Sequence, residues 1–111
     1  MSEKSLADHV PAFETWVSSR MTVARRFIVK GRVQGVGFRY FAIRSARQAG
    51  VVGTVRNLPD GTVEAIAEGL QASIIEFRNA LERGPSYSQV VRVDEIEMKP
   101  SGSYTGFDIV F

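Results

Sequence analysis

Apolar and polar residues alternate along this chain with two periods, one typical of strands and one typical of helices. The period of two predicts five strands, at residues 24–31, 51–57, 62–68, 88–98 and 105–111. Apolar residues three or four positions apart predict two amphipathic helices, at residues 38–50 and 71–83. The first predicted helix ends at Gly50, and Gly84-Pro85 follows the second, as is typical of helix ends.

The order of these elements, β-α-β-β-α-β with a short C-terminal strand, predicts an α+β fold. Two helices on one face of a mainly antiparallel sheet give the ferredoxin-like α/β sandwich. Right-handed crossovers place the first strand at the centre of the sheet. The turn Leu58-Pro59-Asp60-Gly61 joins the second and third strands into a hairpin. A break in the alternation between Val93 and Ile96 indicates a bulge or bend in the fourth strand.

The third predicted strand has an apolar face and a charged face. Val63, Ala65 and Ala67 alternate with Glu64 and Glu68. This alternation is typical of a sheet that packs on a core with one face and meets water with the other. We therefore expect the two glutamates on a solvated face.

Residues 1–23 differ from the rest of the chain and are interpreted as an N-terminal extension. Four apolar residues recur in it at helical spacing, namely Val10, Phe13, Trp16 and Val17. A short amphipathic helix there would be marginal on its own. We expect a flexible or weakly docked extension, with Met21 as an alternative start, followed by one domain at residues 24–111.

Composition narrows the classes of protein to consider. The 111 residues suit one domain, and 44% of them are hydrophobic, enough for one ordinary core. The net charge is only +2 without a basic block, which does not favour nucleic-acid or membrane-surface binding. No apolar run reaches the roughly 20 residues of a membrane helix. The absence of cysteine excludes disulfides and zinc-thiolate sites and fits a cytoplasmic protein.

Three glycines lie where the first strand gives way to the first helix, in Gly31-Arg32-Val33-Gln34-Gly35-Val36-Gly37-Phe38-Arg39. Main-chain N–H groups at a helix N-terminus lack partners, and the helix dipole favours an anion there. Glycine lets these groups converge, and Arg39 adds a cation suited to phosphate. The segment predicts an oxyanion cradle, with a plain glycine-rich turn as the alternative. Phe38 and Tyr40 exclude the Walker and dinucleotide motifs, respectively.

A second segment, Gly53-Thr54-Val55-Arg56-Asn57-Leu58-Pro59-Asp60-Gly61-Thr62-Val63-Glu64, follows the cradle. Together the two segments closely resemble the acylphosphatase family, over roughly residues 24–111. The resemblance implies hydrolysis of the carboxyl-phosphate bond of acyl phosphates, with Arg39 binding the phosphate and Asn57 positioning the attacking water. It implies a phosphate cradle made by the main-chain N–H groups of Gln34, Gly35, Val36, Gly37 and Phe38.

The residue types agree with these implied roles. Phosphoryl transfer with a good leaving group requires mainly positioning and charge stabilisation, which Arg39 and the cradle can supply. The Asn57 side chain can accept a hydrogen bond from a water and donate one to another group at the same time, but it is a poor base. We hypothesise that the water is oriented and that its proton passes to the phosphate. The alternative for Asn57 is a structural cap of the turn that follows it.

Two other functions stay open from the sequence. One is a non-catalytic phosphate-binding or regulatory domain of the same fold, against which the presence of both Arg39 and Asn57 argues. The other is an RNA-binding module, which needs stacking aromatics that the strand at 62–68 lacks. We expect a monomeric, cytoplasmic hydrolase of a small-molecule acyl phosphate that releases inorganic phosphate. No metal, cofactor, nucleic acid or membrane partner is expected.

Overall fold

The structure, a computed structural model, describes residues 21–111. This part of the chain forms a five-stranded sheet and two helices. The strands are β1 (Thr22–Arg32), β2 (Val52–Asn57), β3 (Val63–Leu70), β4 (Gln89–Met98) and β5 (Phe107–Ile109). The helices are α1 (Phe38–Ala49) and α2 (Gln71–Arg83). The predicted ferredoxin-like α+β fold is confirmed. The helix considered for residues 10–19 lies outside the described residues.

The strand order is β4-β1-β3-β2-β5. All neighbouring strands are antiparallel except the pair of β2 and β5. The first strand was predicted at the centre of the sheet, whereas β1 lies one position away from it, between β4 and β3. The difference arises because the short β5 extends the sheet beyond β2.

One apolar layer fills the space between the helices and the sheet. Its buried members include Phe27 and Val29 of β1, Val63, Ala65 and Ala67 of β3, Phe38, Ala42 and Ala46 of α1, and Ile74, Phe77 and Leu81 of α2. The ring of Phe77 contacts Phe27 and Phe107 edge-on, with centroid distances of 6.0 and 5.4 Å. These three rings join α2 to β1 and to β5, so the last strand is anchored in the same core.

The charged face of β3 is not solvated, and that expectation is wrong. Glu64 is only 5% exposed. Its carboxylate accepts hydrogen bonds from Nε of Arg26 on β1 at 2.6 Å and from Nε of Arg56 on β2 at 2.8 Å. A buried carboxylate is tolerated when it is paired and hydrogen-bonded in this way. The alternation within one strand does not reveal that both neighbouring strands carry arginine beside it.

Glu68 is buried by a different partner, the connection between β4 and β5. It is 4% exposed. Its carboxylate accepts hydrogen bonds from the main-chain N–H groups of Ser101 and Gly102 at 2.8 and 3.1 Å, and from the Ser101 hydroxyl at 2.8 Å. Glu68 therefore holds this connection against the face of the sheet that the helices leave open.

The irregularity in β4 is not where the sequence placed it. The register of β1 against β4 shifts at Lys30 and Gly31, so that Val91 has no partner on β1. This bulge turns Val91 outward, where it is 77% exposed. Residues 93–96 pair with β1 in regular register, so the predicted bulge between Val93 and Ile96 is wrong.

Residues 93–96 break the alternation of apolar and polar residues for a different reason: Glu95 places an acidic side chain on the helix side of the sheet. Glu95 pairs with Phe27, whose side chain points into the core. The Glu95 carboxylate lies 3.1 Å from Nε of Arg25 and 3.4 Å from Nε of Arg78. Two cations thus compensate a carboxylate at a position where an apolar residue would keep the pattern.

The pairing of Glu64 predicts an acid-dependent stability. Burial raises the pKa of the Glu64 carboxyl, but hydrogen bonds from Arg26 and Arg56 lower it by more, so this pKa lies below the ordinary 4.5. The ionised form therefore stabilises the fold above about pH 4.5, and the stabilisation is lost as the pH falls through the lowered pKa. In urea denaturation between about pH 5 and 3, the free energy of unfolding should fall less steeply for Glu64→Gln than for the wild type.

The matched control is Glu76→Gln, which replaces an exposed glutamate of α2. It leaves Glu64 and both arginines in place, so its free energy of unfolding should still fall between about pH 5 and 3. If Glu64→Gln and the wild type lost stability equally with falling pH, the two arginines would not be stabilising the ionised carboxylate.

Candidate active site

The connection between β1 and α1 has the backbone geometry expected of the cradle. Gly35 and Gly37 adopt φ of 75° and 77°, values that favour glycine. Gly37 is the N-cap residue, directly before the first residue of α1, and it has no side chain to cap the helix. Within residues 21–111, no main-chain N–H group of residues 34–38 donates a hydrogen bond to a protein group. These donors are therefore available to an anion at the N-terminus of α1.

A cavity of about 120 Å³ lies at this connection. It is lined by Val33, Gly35, Gly37, Phe38, Arg39, Tyr40 and Asn57. The structure thus places both predicted catalytic residues, Arg39 and Asn57, in one cavity with part of the predicted cradle. Gln34 and Val36 of that cradle do not line the cavity: Val36 packs against the core, and the side-chain amide of Gln34 donates to the carbonyl oxygen of Leu58.

The side chains of Arg39 and Asn57 are half-buried. Neither one forms a hydrogen bond or ion pair with another described residue. The guanidinium carbon of Arg39 lies 5.8 Å from the centre of the Phe111 ring, a cation–π distance. Asn57 ends β2, where its main chain pairs with Val63 of β3. The guanidinium of Arg39 and the amide of Asn57 therefore line the same cavity, and their polar atoms form no hydrogen bonds or ion pairs with other described residues.

The sequence did not assign Val33 and Tyr40 to the cavity wall. Val33 is buried at the end of β1, and Tyr40 is 65% exposed in the first turn of α1. Both residues adjoin the predicted cradle, and this adjacency was the only signal available for them. The sequence also did not indicate the hydrogen bonds of the Gln34 side chain, because its partners Leu58 and Thr62 are more than 20 positions away.

The described residues offer no cluster of metal ligands. Within residues 21–111, no group of three or more His, Cys, Asp or Glu side chains is arranged to hold a metal ion. The two helices in this part of the chain have 12 and 13 residues, and neither is long and apolar enough to cross a membrane.

Comparison with known proteins places this geometry in a family. The acylphosphatase family model matches residues 25–109. This chain belongs to the acylphosphatase family. The acylphosphatase of Bacillus licheniformis is 45% identical over 86 residues, 78% of this chain and 96% of that protein. The acylphosphatase of Roseiflexus sp. strain RS-1 is 44% identical over 92 residues, 82% of this chain and 99% of that protein.

Solved structures agree with the sequence comparison. The crystal structure of the acylphosphatase from Bacillus subtilis matches with a TM-score of 0.77 and 38% identity. The match covers 82% of this chain and all of that one. The family match begins at residue 25, close to the predicted domain boundary at residue 24, which stays a prediction.

Two glycines near the site predict different costs of substitution. A Cβ on Gly35 would have no heavy atom within 4 Å, so Gly35→Ala should cost only the strain of its backbone, about 1–2 kcal/mol. A Cβ on Gly53 would overlap the carbonyl oxygen of Ile66 on β3. Gly53→Ala should therefore destabilise the fold much more, because β2 must move away from β3. Urea denaturation measures both losses, and equal losses would contradict the difference in close approach.

Proposed function

We propose that this protein hydrolyses acyl phosphates, releasing a carboxylate and inorganic phosphate. The observation that most supports this function is the single cavity lined by cradle glycines, Arg39 and Asn57. Family membership adds to it, since relatives named acylphosphatase align with this chain over nearly their whole length. The presence of both polar side chains in the cavity favours an enzyme over a non-catalytic phosphate-binding domain.

The phosphate group of the substrate binds at the cradle. Main-chain N–H groups of residues 34–38 donate to its oxygens, and the N-terminus of α1 adds a favourable dipole. The Arg39 guanidinium donates to two phosphate oxygens and neutralises part of their charge. These donors are in place before the reaction, so they stabilise the charge that develops on the equatorial oxygens without rearrangement.

Asn57 orients the attacking water. Its side-chain oxygen accepts a hydrogen bond from the water, which directs a lone pair of the water oxygen at phosphorus. The new bond joins the water oxygen to phosphorus, and the bond between phosphorus and the acyl oxygen breaks. The carboxylate leaves with the bonding electrons, and the proton of the water passes to a phosphate oxygen. A carboxylate is a good leaving group, so no strong base is required.

Two alanine variants test these roles with benzoyl phosphate as substrate and EDTA present. Arg39→Ala and Asn57→Ala should each lower kcat about 10²–10³-fold, the usual effect of removing one transition-state donor. Arg39→Ala should also weaken inhibition by inorganic phosphate, whereas Asn57→Ala should leave it nearly unchanged. The loss of ultraviolet absorbance of benzoyl phosphate follows the reaction.

The controls replace the same residue types at exposed helix positions, with Arg44→Ala in α1 and Asn79→Ala in α2. Both should retain wild-type turnover. A folded wild type that binds phosphate without turnover would instead identify a non-catalytic phosphate-binding domain. Turnover that disappears only in EDTA would contradict a metal-free reaction.

The proposed enzyme acts as a cytoplasmic monomer on a small molecule. The absence of cysteine supports the cytoplasmic assignment, and the small net charge without a basic block favours a small-molecule partner over a nucleic acid. Sedimentation equilibrium should give a mass near 12.3 kDa, the mass of one chain. A mass near twice this value would contradict the monomer.

A further inference from the structure

The cradle and Asn57 are carried by strands that are not neighbours. The cradle follows β1, Asn57 ends β2, and β3 lies between these two strands. Adjacent strands are about 4.8 Å apart, so β1 and β2 are separated by about 10 Å. A displacement of about 1 Å between reacting groups can lower a rate about 10²-fold. A contact that connects the cradle to the end of β2 across β3 would therefore be important for the proposed reaction.

The side chain of Gln34 makes that contact. Its Nε2 donates to the carbonyl oxygen of Leu58 at 2.8 Å and to the carbonyl oxygen of Thr62 at 2.9 Å. Both hydrogens of the amide are thus used. Leu58 directly follows Asn57, and Thr62 directly precedes Val63, the first residue of β3. One side chain of the cradle connection therefore binds both ends of the turn that carries Asn57.

The turn itself is closed by its own hydrogen bonds. Leu58 N donates to Thr62 O at 2.9 Å, and Gly61 N donates to Leu58 O at 3.1 Å. The Asp60 carboxylate accepts from the Thr62 N–H at 3.0 Å and from its hydroxyl at 2.6 Å. Because these hydrogen bonds stabilise the turn, the contacts of Gln34 with its two ends also fix the position of the end of β2.

We propose that the Gln34 side chain is a positioning residue that sets the distance between the phosphate cradle and Asn57. This inference rests on the proposed hydrolysis of acyl phosphates. The main-chain N–H of Gln34 and the Arg39 guanidinium bind phosphate, and the side-chain amide of Gln34 does not take part in this binding. The placement of the water held by Asn57 depends on that amide. Binding of phosphate and the rate of attack should therefore respond differently to its removal.

Gln34→Met tests the proposal, because it keeps the length of the side chain and removes both donors. Leu58 O and Thr62 O each keep one partner within the turn, so the fold should persist. With benzoyl phosphate, kcat should fall about 10- to 100-fold, while the inhibition constant of inorganic phosphate should change less than about threefold. Gln48→Met, at an exposed position of α1, is the matched control and should retain wild-type kcat.

A double-mutant cycle distinguishes positioning from general damage. If Gln34 acts through Asn57, then Gln34→Met should lower kcat less than about twofold in the Asn57→Ala background. Equal losses in both backgrounds would overturn the proposal, and so would a loss of phosphate binding as large as the loss of kcat. Full kcat in a folded Gln34→Met variant would overturn it as well. Absence of turnover in the wild type would overturn the proposed function and this inference together.

Gln34→Glu provides a second variant in case Gln34→Met does not fold. An ionised carboxylate cannot donate to the two carbonyl oxygens, but a protonated one can donate to one of them. The ratio of its kcat to that of the wild type should therefore rise as the pH is lowered through the pKa of the new carboxyl. Asp60 of the same turn is present in both proteins, so its titration cancels in the ratio. A ratio independent of pH would overturn the proposal.

Discussion

The antiparallel pairing of β3 with both β1 and β2 is the constraint on which the candidate site depends. Val63 at the start of β3 pairs with Val29 on one side and with Asn57 on the other. The cradle connection and the end of β2 therefore emerge at the same edge of the sheet. A slip of one residue would turn the buried Val63 toward the opposite face, which the core does not permit. The hydrophobic core thus fixes where the two halves of the cavity meet.

The open face of the sheet strengthens the same register through charge. Glu64 of β3 pairs directly with Arg56 in the β2 ladder and reaches Arg26 on β1. The Glu64 carboxylate therefore links three strands, and displacement of either neighbouring strand would separate that strand's arginine from Glu64. Because Glu64 is buried, the loss of either arginine would leave its charge only partly compensated, which is unfavourable.

The fold, and the presence of Arg39 and Asn57 in one cavity, could be predicted because they depend on local order and residue type. Arg39 and Asn57 lie within short segments whose glycines and turn residues indicate a cradle and a hairpin. The environments of Glu64, Glu95 and Gln34 could not be predicted, because their partners come from other strands or from a distant turn. Such pairings depend on the strand order and on the register, which the pattern of residues along one strand does not reveal. The broken pattern at Glu95 was misread as a bulge for this reason.

The strand order also has a consequence for how this chain acquires its structure. β1 completes its pairing only when β4 arrives, and the contact between Arg25 and Glu95 joins residues 70 positions apart. Closing so long a segment costs chain entropy before the contact returns any stability, which slows folding. Until then one edge of β1 offers unpaired backbone groups to other chains. We therefore expect the pairing of β4, the edge strand on the side of the sheet away from β2 and Asn57, to slow folding and to leave β1 exposed to other chains until it forms.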